Sequence, residues 1–300
     1  MAYDVVLTAN YSPWSRYHGG LQKSVDQLAL AMSHLGVRVG VVYSRTPWER
    51  IQIPDRPYGL HWVFFHAIRP GISSPGRIFN SFPFVRLLQK ITGPATVIQG
   101  NGDEAWNFPR FFPGRFVYTH RQPFFPDYLQ GDWTSRSHRI RILFRENREW
   151  AYARAVLGAN QVTCTSQFNA EKLQSLFRLT RIPQVVPNGI APEFLVAPLE
   201  ARGHHILYFG RLSRGKGVVE LCEAWNSLPS VLRRQHPLHL VGHGELIKTI
   251  QMKFRGFAPD LRPVLRGALE GKTLATEVAT AALIVLPSQS ESFGNTMLEA

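Results

Sequence analysis

Cysteine is nearly missing from this 300-residue chain: Cys164 and Cys222 are the only two, far apart in sequence. No C-x-x-C spacing and no cluster of histidine or cysteine along the sequence suggests zinc, and a reducing cytoplasm is the simplest fit. Long apolar runs are missing as well. No segment approaches the roughly 20 apolar residues that span a bilayer. The N-terminus, Met1-Ala-Tyr-Asp-Val-Val-Leu, has no basic stretch followed by a long apolar one, so it reads as a strand rather than a signal peptide. The G-x4-G-K-[ST] phosphate loop and the G-x-G-x-x-G dinucleotide fingerprint are both lacking, and no RRM, KH or zinc pattern marks a nucleic-acid-binding module. Acidic side chains are in deficit, and unevenly so. The net charge is +13, and residues 1–190 hold 22 Lys+Arg against 11 Asp+Glu, whereas residues 191–300 hold 12 against 10. An anionic partner, if the chain has one, meets the first half.

What is present is a hydrophobic content of 44% in strand-like and helix-like stretches that alternate throughout, as parallel α/β layers do. Strands are expected at Val5 to Ala9, Val37 to Tyr43, His61 to His66, Thr96 to Gln99, Arg115 to Thr119 and Gln161 to Thr165. Apolar residues at Val25, Leu28, Ala29, Met32 and Leu35 have helical spacing over Lys23 to Leu35. Ile68 to Pro94, rich in Pro, Gly and Ser, is poorly specified. Arg136, Arg139, Arg141, Arg145, Arg148 and Arg154 interleave with apolar residues in a basic amphipathic helix. Such a helix can lie on anionic lipid or pack on its own domain with its arginines in water.

Around Arg181 to Pro198 the pattern breaks, with three prolines and an Asn-Gly within Ile182 to Phe194, which marks a connection. A second alternation follows: strand His205 to Phe209, helix Val218 to Leu228, strand Leu238 to Val241, helix Glu245 to Phe254, strand Val264 to Arg266, helix Lys272 to Ala281 and a buried apolar strand over Ala281 to Leu286. The expected fold is therefore two doubly wound Rossmann-like domains, 1–184 and 185–300, facing a central cleft. Ligands of such sheets bind outside the carboxyl ends of the strands.

Two stretches carry chemistry. Gly210-Arg-Leu-Ser-Arg-Gly-Lys-Gly217 is a glycine- and cation-rich loop between a strand and a helix, which can cradle phosphate or simply be solvated. Pro287-Ser-Gln-Ser-Glu-Ser-Phe-Gly-Asn-Thr-Met-Leu-Glu-Ala300 places Glu291 and Glu299 on either side of a strand-to-helix turn around Gly294. Backbone N–H groups at the start of a helix attract phosphate, and the two carboxylates can grip separate polyol portions of one ligand. For an isolated Glu pair, solvated surface residues are the commoner reading.

In this setting, however, Pro-Ser-x-x-Glu-x-Phe-Gly followed by Leu-Glu-Ala resembles the E-x7-E signature of retaining glycosyltransferases of family 4, which have the GT-B fold. Val186-Pro-Asn-Gly-Ile190 resembles the family's interdomain stretch, Leu207-Tyr-Phe-Gly-Arg-Leu with Lys216-Gly217 its Gly-Arg-Leu…Lys-Gly loop, and Leu240-Val-Gly-His-Gly-Glu245 its second glycine turn. Gly19-Gly20 and His120 match more loosely. The resemblance runs from about residue 5 to residue 300 and is far more specific after residue 185.

It implies an enzyme that takes a sugar from a nucleoside diphosphate sugar with retention of anomeric configuration. Arg211 and Lys216 would neutralise the diphosphate leaving group. Glu299 would bind the ribose and Glu291 the transferred sugar, together with Gly210 and with Phe293, Gly294, Asn295 and Thr296 of the turn. His120 would bind the sugar from the other domain, and Gly19 and Gly20 would let the backbone approach donor and acceptor closely. No residue stands out as a glycosidase-type nucleophile. No D-x-D motif stands where a metal-dependent sugar transferase needs it, so no metal and no cofactor beyond the sugar nucleotide is expected. The charge suits a glycan, lipid-linked or lipopolysaccharide-type acceptor at the cytoplasmic face of the membrane, with soluble acceptors open as well.

Two departures from the family stand out: His243 where an acidic residue is common, and an end at residue 300, inside the helix that carries Glu299, which leads us to expect a fragment of a longer protein. A nucleotide-sugar 2-epimerase on the same fold and a noncatalytic basic binding protein, including a sugar-nucleotide sensor, are the alternatives.

Overall fold

The computed structural model describes residues 3–15, 19–64, 79–121, 150–195 and 203–300. The chain folds as two compact units, Met1–Gly189 and Ile190–Ala300.

The first unit is built on a parallel seven-stranded sheet. Its strands are β1 (Val5–Ala9), β2 (Val39–Arg45), β3 (Gly59–Phe64), β4 (Val97–Gly100), β5 (Phe116–His120), β6 (Gln161–Cys164) and β7 (Gln184–Val185), in the order β3-β2-β1-β4-β5-β6-β7. The boundary at 184/185 falls inside β7, which pairs with β6 through Thr163↔Gln184 and Cys164↔Val185. Strands buried on both faces have little polar alternation, and β2 is buried along almost its whole length. Successive side chains still divide between two cores. Val6 and Val42 join Ile98, Phe116, Tyr118 and Phe108 on one face. Leu7, Val41 and Tyr43 meet Val25 and Ala29 of the helix Gly20–His34 on the other.

One stretch read as poorly specified proves ordered. Ser81–Ile91 is a helix that buries Phe84, Val85 and Leu88. Pro83 lies in its first turn, where an N–H has no intrahelical partner to lose. The composition of the region therefore pointed to a loop where the apolar spacing makes a helix. Of the basic helix expected from Arg136 to Arg154, Arg136, Arg139, Arg141, Arg145 and Arg148 lie outside the described residues. Residues 150–158 are helical, with Ala151, Tyr152, Ala155 and Val156 buried, and the Arg154 guanidinium lies 5.9 Å from the Trp150 ring centroid.

The second unit has a parallel sheet of four strands, β8 (Ile206–Phe209), β9 (Leu238–Val241), β10 (Val264–Gly267) and β11 (Leu283–Ile284), in the order β10-β9-β8-β11. Tyr208, Leu238 and Leu240 pack with Val218, Cys222, Trp225, Ile250 and Phe254 of the helices Val218–Ser227 and Ile247–Phe254. Leu207, Phe209 and Val241 pack on the other face with Val278 of the helix Gly271–Thr280. The expected buried strand over Ala281 to Leu286 is corrected. Only Leu283 and Ile284 pair as a strand, with Ile206 and Leu207, and Leu283 is 55% exposed. Among the described residues, β11 has a sheet neighbour on one side only.

Phe108 is fully buried and packs on Phe84, Phe112 and Phe116. Phe108→Ala is expected to destabilise the first unit by about 3–5 kcal/mol, measured as a lower urea midpoint.

Candidate functional site

In a doubly wound sheet the strand order reverses at one place, and the loops leaving the two strands there diverge and open a crevice. The reversal falls between β1 and β4 in the first sheet and between β8 and β11 in the second. The residues named from the sequence lie on loops and strand ends near these two places, except His120, which ends β5, one strand further along the first sheet.

In the second unit the loop after β8 carries Gly210, Arg211 and Lys216, and the loop after β11 carries Glu291, Phe293 and Gly294 and leads into a helix that starts at Asn295. They are brought together. Lys216 Nζ forms an ion pair with Glu291 Oε1, both side chains being about one quarter to one third exposed. The Gln289 N–H donates to the Gly215 carbonyl at 3.0 Å. A Cβ on Gly210 would stand 3.8 Å from the Thr296 methyl, so these two predicted residues are neighbours. Gly294 has φ +81 and opens the five-residue helix Asn295–Glu299, its carbonyl accepting from the Met297 N–H at 2.8 Å. Glu299 is the last residue of that helix and half-buried. Arg211 is exposed, and its carbonyl accepts from the Tyr208 hydroxyl at 2.8 Å. Burial, with the nearby charge of Glu291, raises the Tyr208 pKa well above the usual phenol range.

The second glycine turn, Gly242-His-Gly244, underpins this loop. Gly242 has φ +137, and a Cβ there would overlap the Gly210 carbonyl oxygen; one on Gly244 would overlap the Leu212 carbonyl oxygen. The Leu212 N–H donates to the His243 carbonyl at 2.9 Å, so His243 contributes its main chain to the lock. At Gly217, φ is +66 and a Cβ would strike the Pro287 carbonyl oxygen. The loops after β8, β9 and β11 thus interlock through backbone, which is why glycine recurs at these spacings.

In the first unit, Gly19 precedes the helix Gly20–His34, and its N–H donates to Gln22 Oε1 at 2.9 Å. Gln22 Nε2 donates to the Asn10 carbonyl at 2.6 Å, tying the helix start to the end of β1. From there runs a buried polar network that the sequence reading missed. Asn10 Nδ2 donates to Asp103 Oδ1 at 2.5 Å and to Glu104 Oε2 at 3.1 Å; Thr8 Oγ1 donates to Glu104 Oε1 at 3.0 Å. Arg121 Nε donates to Asn101 Oδ1 at 2.9 Å, and its guanidinium also bonds Asn188 of the Pro-Asn-Gly stretch. His120, at the end of β5, is buried against Tyr118 and Tyr152. Burial, reinforced by the adjacent Asp103, pushes the Glu104 carboxyl up to about 7, and burial lowers Arg121 to about 10. The acidic pair of Asn-Gly-Asp-Glu after β4 was the signal to follow, since a carboxylate that becomes buried needs hydrogen-bond partners.

The profile of Glycosyltransferase Family 4 matches residues 18–194, and that of Glycosyl transferases group 1 matches residues 203–300. The chain belongs to glycosyltransferase family 4. Its fold is GT-B: WaaG, a glycosyltransferase involved in lipopolysaccharide biosynthesis, superposes with a TM-score of 0.72 at 18% identity, over 99% of this chain and 78% of that one. A variant of Staphylococcus aureus TarM in complex with fondaparinux, α-GlcNAc-glycerol and UDP gives 0.70 at 11% identity, over 99% and 83%. The catalytic domain of Arabidopsis thaliana starch synthase IV, bound to ADP and acarbose, gives 0.66 at 15%, over 100% and 81%. No curated protein matches the chain. Among the described residues of this glycosyltransferase, no helix is long and apolar enough to cross a membrane.

Gly242→Ala is expected to cost the second unit about 1–3 kcal/mol or more, because it combines a strained φ with a backbone clash; chemical denaturation measures it. Glu104 supplies a pH test. Its folded pKa lies above the ordinary carboxylate value, so its contribution to stability is full below about pH 4.5 and is lost as pH rises through about 7. Glu104→Gln should flatten that slope, gaining on the parent by a few kcal/mol at most between pH 5 and pH 8, as read from urea midpoints at the two pH values.

Proposed function

We propose that this family 4 member is a retaining glycosyltransferase that uses a nucleoside diphosphate sugar as donor. The observation that supports this best is the docking of the Gly210–Gly217 loop against the Glu291 turn, with Lys216 and Glu291 paired. As the glycosidic bond breaks, negative charge grows on the leaving diphosphate, and cations already in place favour that transition state more than the ground state. Lys216 and Arg211 supply them. When a diphosphate arrives, Lys216 exchanges Glu291 for phosphate oxygen, and the released carboxylate accepts hydrogen bonds from hydroxyls of the transferred sugar. Glu299, one helical turn on, accepts from the ribose, while Gly210, Phe293, Gly294, Asn295 and Thr296 line the donor.

From the first unit, His120 serves the sugar, and Gly19 and Gly20 leave room for donor and acceptor. No step is assigned to a metal ion. Retention rests on the likeness of the turn to the E-x7-E signature. The acceptor class is a glycan of the lipid-linked or lipopolysaccharide type. It is favoured by the basic first half of the chain and by similarity to WaaG and to the lipopolysaccharide outer core galactosyltransferase WaaB, which superposes with a TM-score of 0.58 at 15% identity over 99% of this chain and 77% of that one. In this reading the protein works at the inner face of the cytoplasmic membrane, with the arginines between Arg136 and Arg154 facing anionic lipid.

Incubation with UDP-, GDP- and ADP-sugars, with nucleotide release as readout, selects the donor. Lys216→Ala and Glu299→Ala should each lower donor turnover about 10²-fold or more. Normal turnover in both variants would overturn the site assignment, and an inverted anomeric centre in the product, read by NMR, would overturn retention.

A further inference from the structure

At the opposite edge of the second sheet, where the strands begin, three side chains converge that the donor reading leaves unused. The alternation that turns Leu207, Phe209 and Val241 toward the helix Gly271–Thr280 also turns His205 and His239 that way, and there they meet Glu277 of the helix. His239 is the register partner of Leu207, so His205, two residues earlier, is its diagonal neighbour across the parallel pair. The two imidazoles stack with centroids 4.4 Å apart and planes 20° apart. Glu277 Oε1 lies 2.8 Å from His239 Nδ1 and 3.8 Å from His205 Nε2. One ligand atom from each residue lies within 4.8 Å of the other two.

Two details point beyond a chance cluster. His205 Nε2 is buried and makes no hydrogen bond, an unfavourable state for a polar nitrogen that a bound cation would relieve. Arg266 Nη2 donates to Glu277 Oε2 at 3.0 Å, which fixes the carboxylate and leaves Oε1 facing both rings, the kind of outer support that holds metal ligands in place. Two imidazoles and one carboxylate form a recurrent zinc donor set. With metal–ligand bonds of about 2.0–2.2 Å, tetrahedral ligand atoms stand about 3.3 Å apart, and the two His–Glu separations bracket that value.

We propose that His205, His239 and Glu277 form a binding site for Zn2+. Binding needs no new residue to arrive: His239 exchanges its hydrogen bond with Glu277 for a bond to the ion, and the stacked rings turn about Cβ–Cγ so that both nitrogens face it. The ion ties the start of β8 to β9 and to the helix Gly271–Thr280, and its role is structural. The ligands are spread over three elements, with His239 and Glu277 separated by 38 positions. No local spacing of the zinc-module kind announces them in the sequence, which is why the linear reading found no metal site.

The test uses the full chain without a polyhistidine tag, stripped with chelator and titrated with Zn2+. One equivalent should bind and raise the melting temperature, and Co2+ should give the intense visible bands of a tetrahedral site. The double variant His205→Ala/His239→Ala should lose all three responses, and Glu277→Gln should weaken binding at least about tenfold, as loss of a ligand demands. Absence of stoichiometric uptake by the parent would overturn the proposal. So would unchanged uptake in the double variant, which would place the metal on others of the 11 histidines. If the double variant folds poorly, Glu277→Gln decides alone, and unchanged affinity there counts against the site.

Discussion

Main chain packs directly on main chain where β8, β9 and β11 end, and three positions there have room for nothing larger than hydrogen. Gly242 lies over the Gly210 carbonyl, Gly244 over that of Leu212 and Gly217 over that of Pro287. Side chains can repack around a change of volume, but opposed backbones cannot. The placement of Lys216 against Glu291, the approach of Gly210 to Thr296 and the course of the Pro287 turn all follow from this contact. Loops locked through backbone are stiff, and stiffness is the condition under which the proposed donor site could hold fixed dipoles and charges against a transition state.

The first unit meets the same need by other means. Its switch point is held by buried side-chain polar groups: Thr8, Asn10, Asn101, Asp103 and Glu104 bond to one another, with only Asn10 Oδ1 of the Asn10 amide left without a partner among the described residues, and Arg121 extends the network to Asn188. Such networks are costly when incomplete and rigid when complete. Here the network links the end of β1, the loop after β4 and the end of β5, next to His120, to the Pro-Asn-Gly stretch that closes the first unit. A buried carboxyl titrating near neutrality is the electrostatic consequence of that arrangement.

Much of this architecture was legible in the chain. Most strands were placed within two residues of their observed ends, because parallel strands buried on both faces leave short β-branched runs bounded by glycine, proline or polar residues. The Gly-Arg-Leu…Lys-Gly loop and the E-x7-E turn were visible as well, since each is a continuous stretch. Three things were not. The helix Ser81–Ile91 was hidden because Pro83 reads as a breaker when its place in the first turn is unknown. The run Ala281 to Leu286 reads as one buried strand because hydrophobicity does not reveal how many of its residues pair, and only Leu283 and Ile284 do among the described residues. The networks around Glu104 and Glu277 escaped because their members come from separate strands and helices.

The amino-acid sequence by itself determined the alternation of elements, the family and the two loops that carry glycine, cation and carboxylate. These depend on nearest neighbours along the chain and on fixed spacings of three, four or seven residues. Tertiary structure alone decided that Lys216 pairs with Glu291, that Gly242 exists to admit the Gly210 carbonyl, that Glu104 is held protonated up to about neutral pH, and that two histidines stack above one glutamate. Each of these depends on which strands lie side by side and in what register, and only the folded sheet sets that.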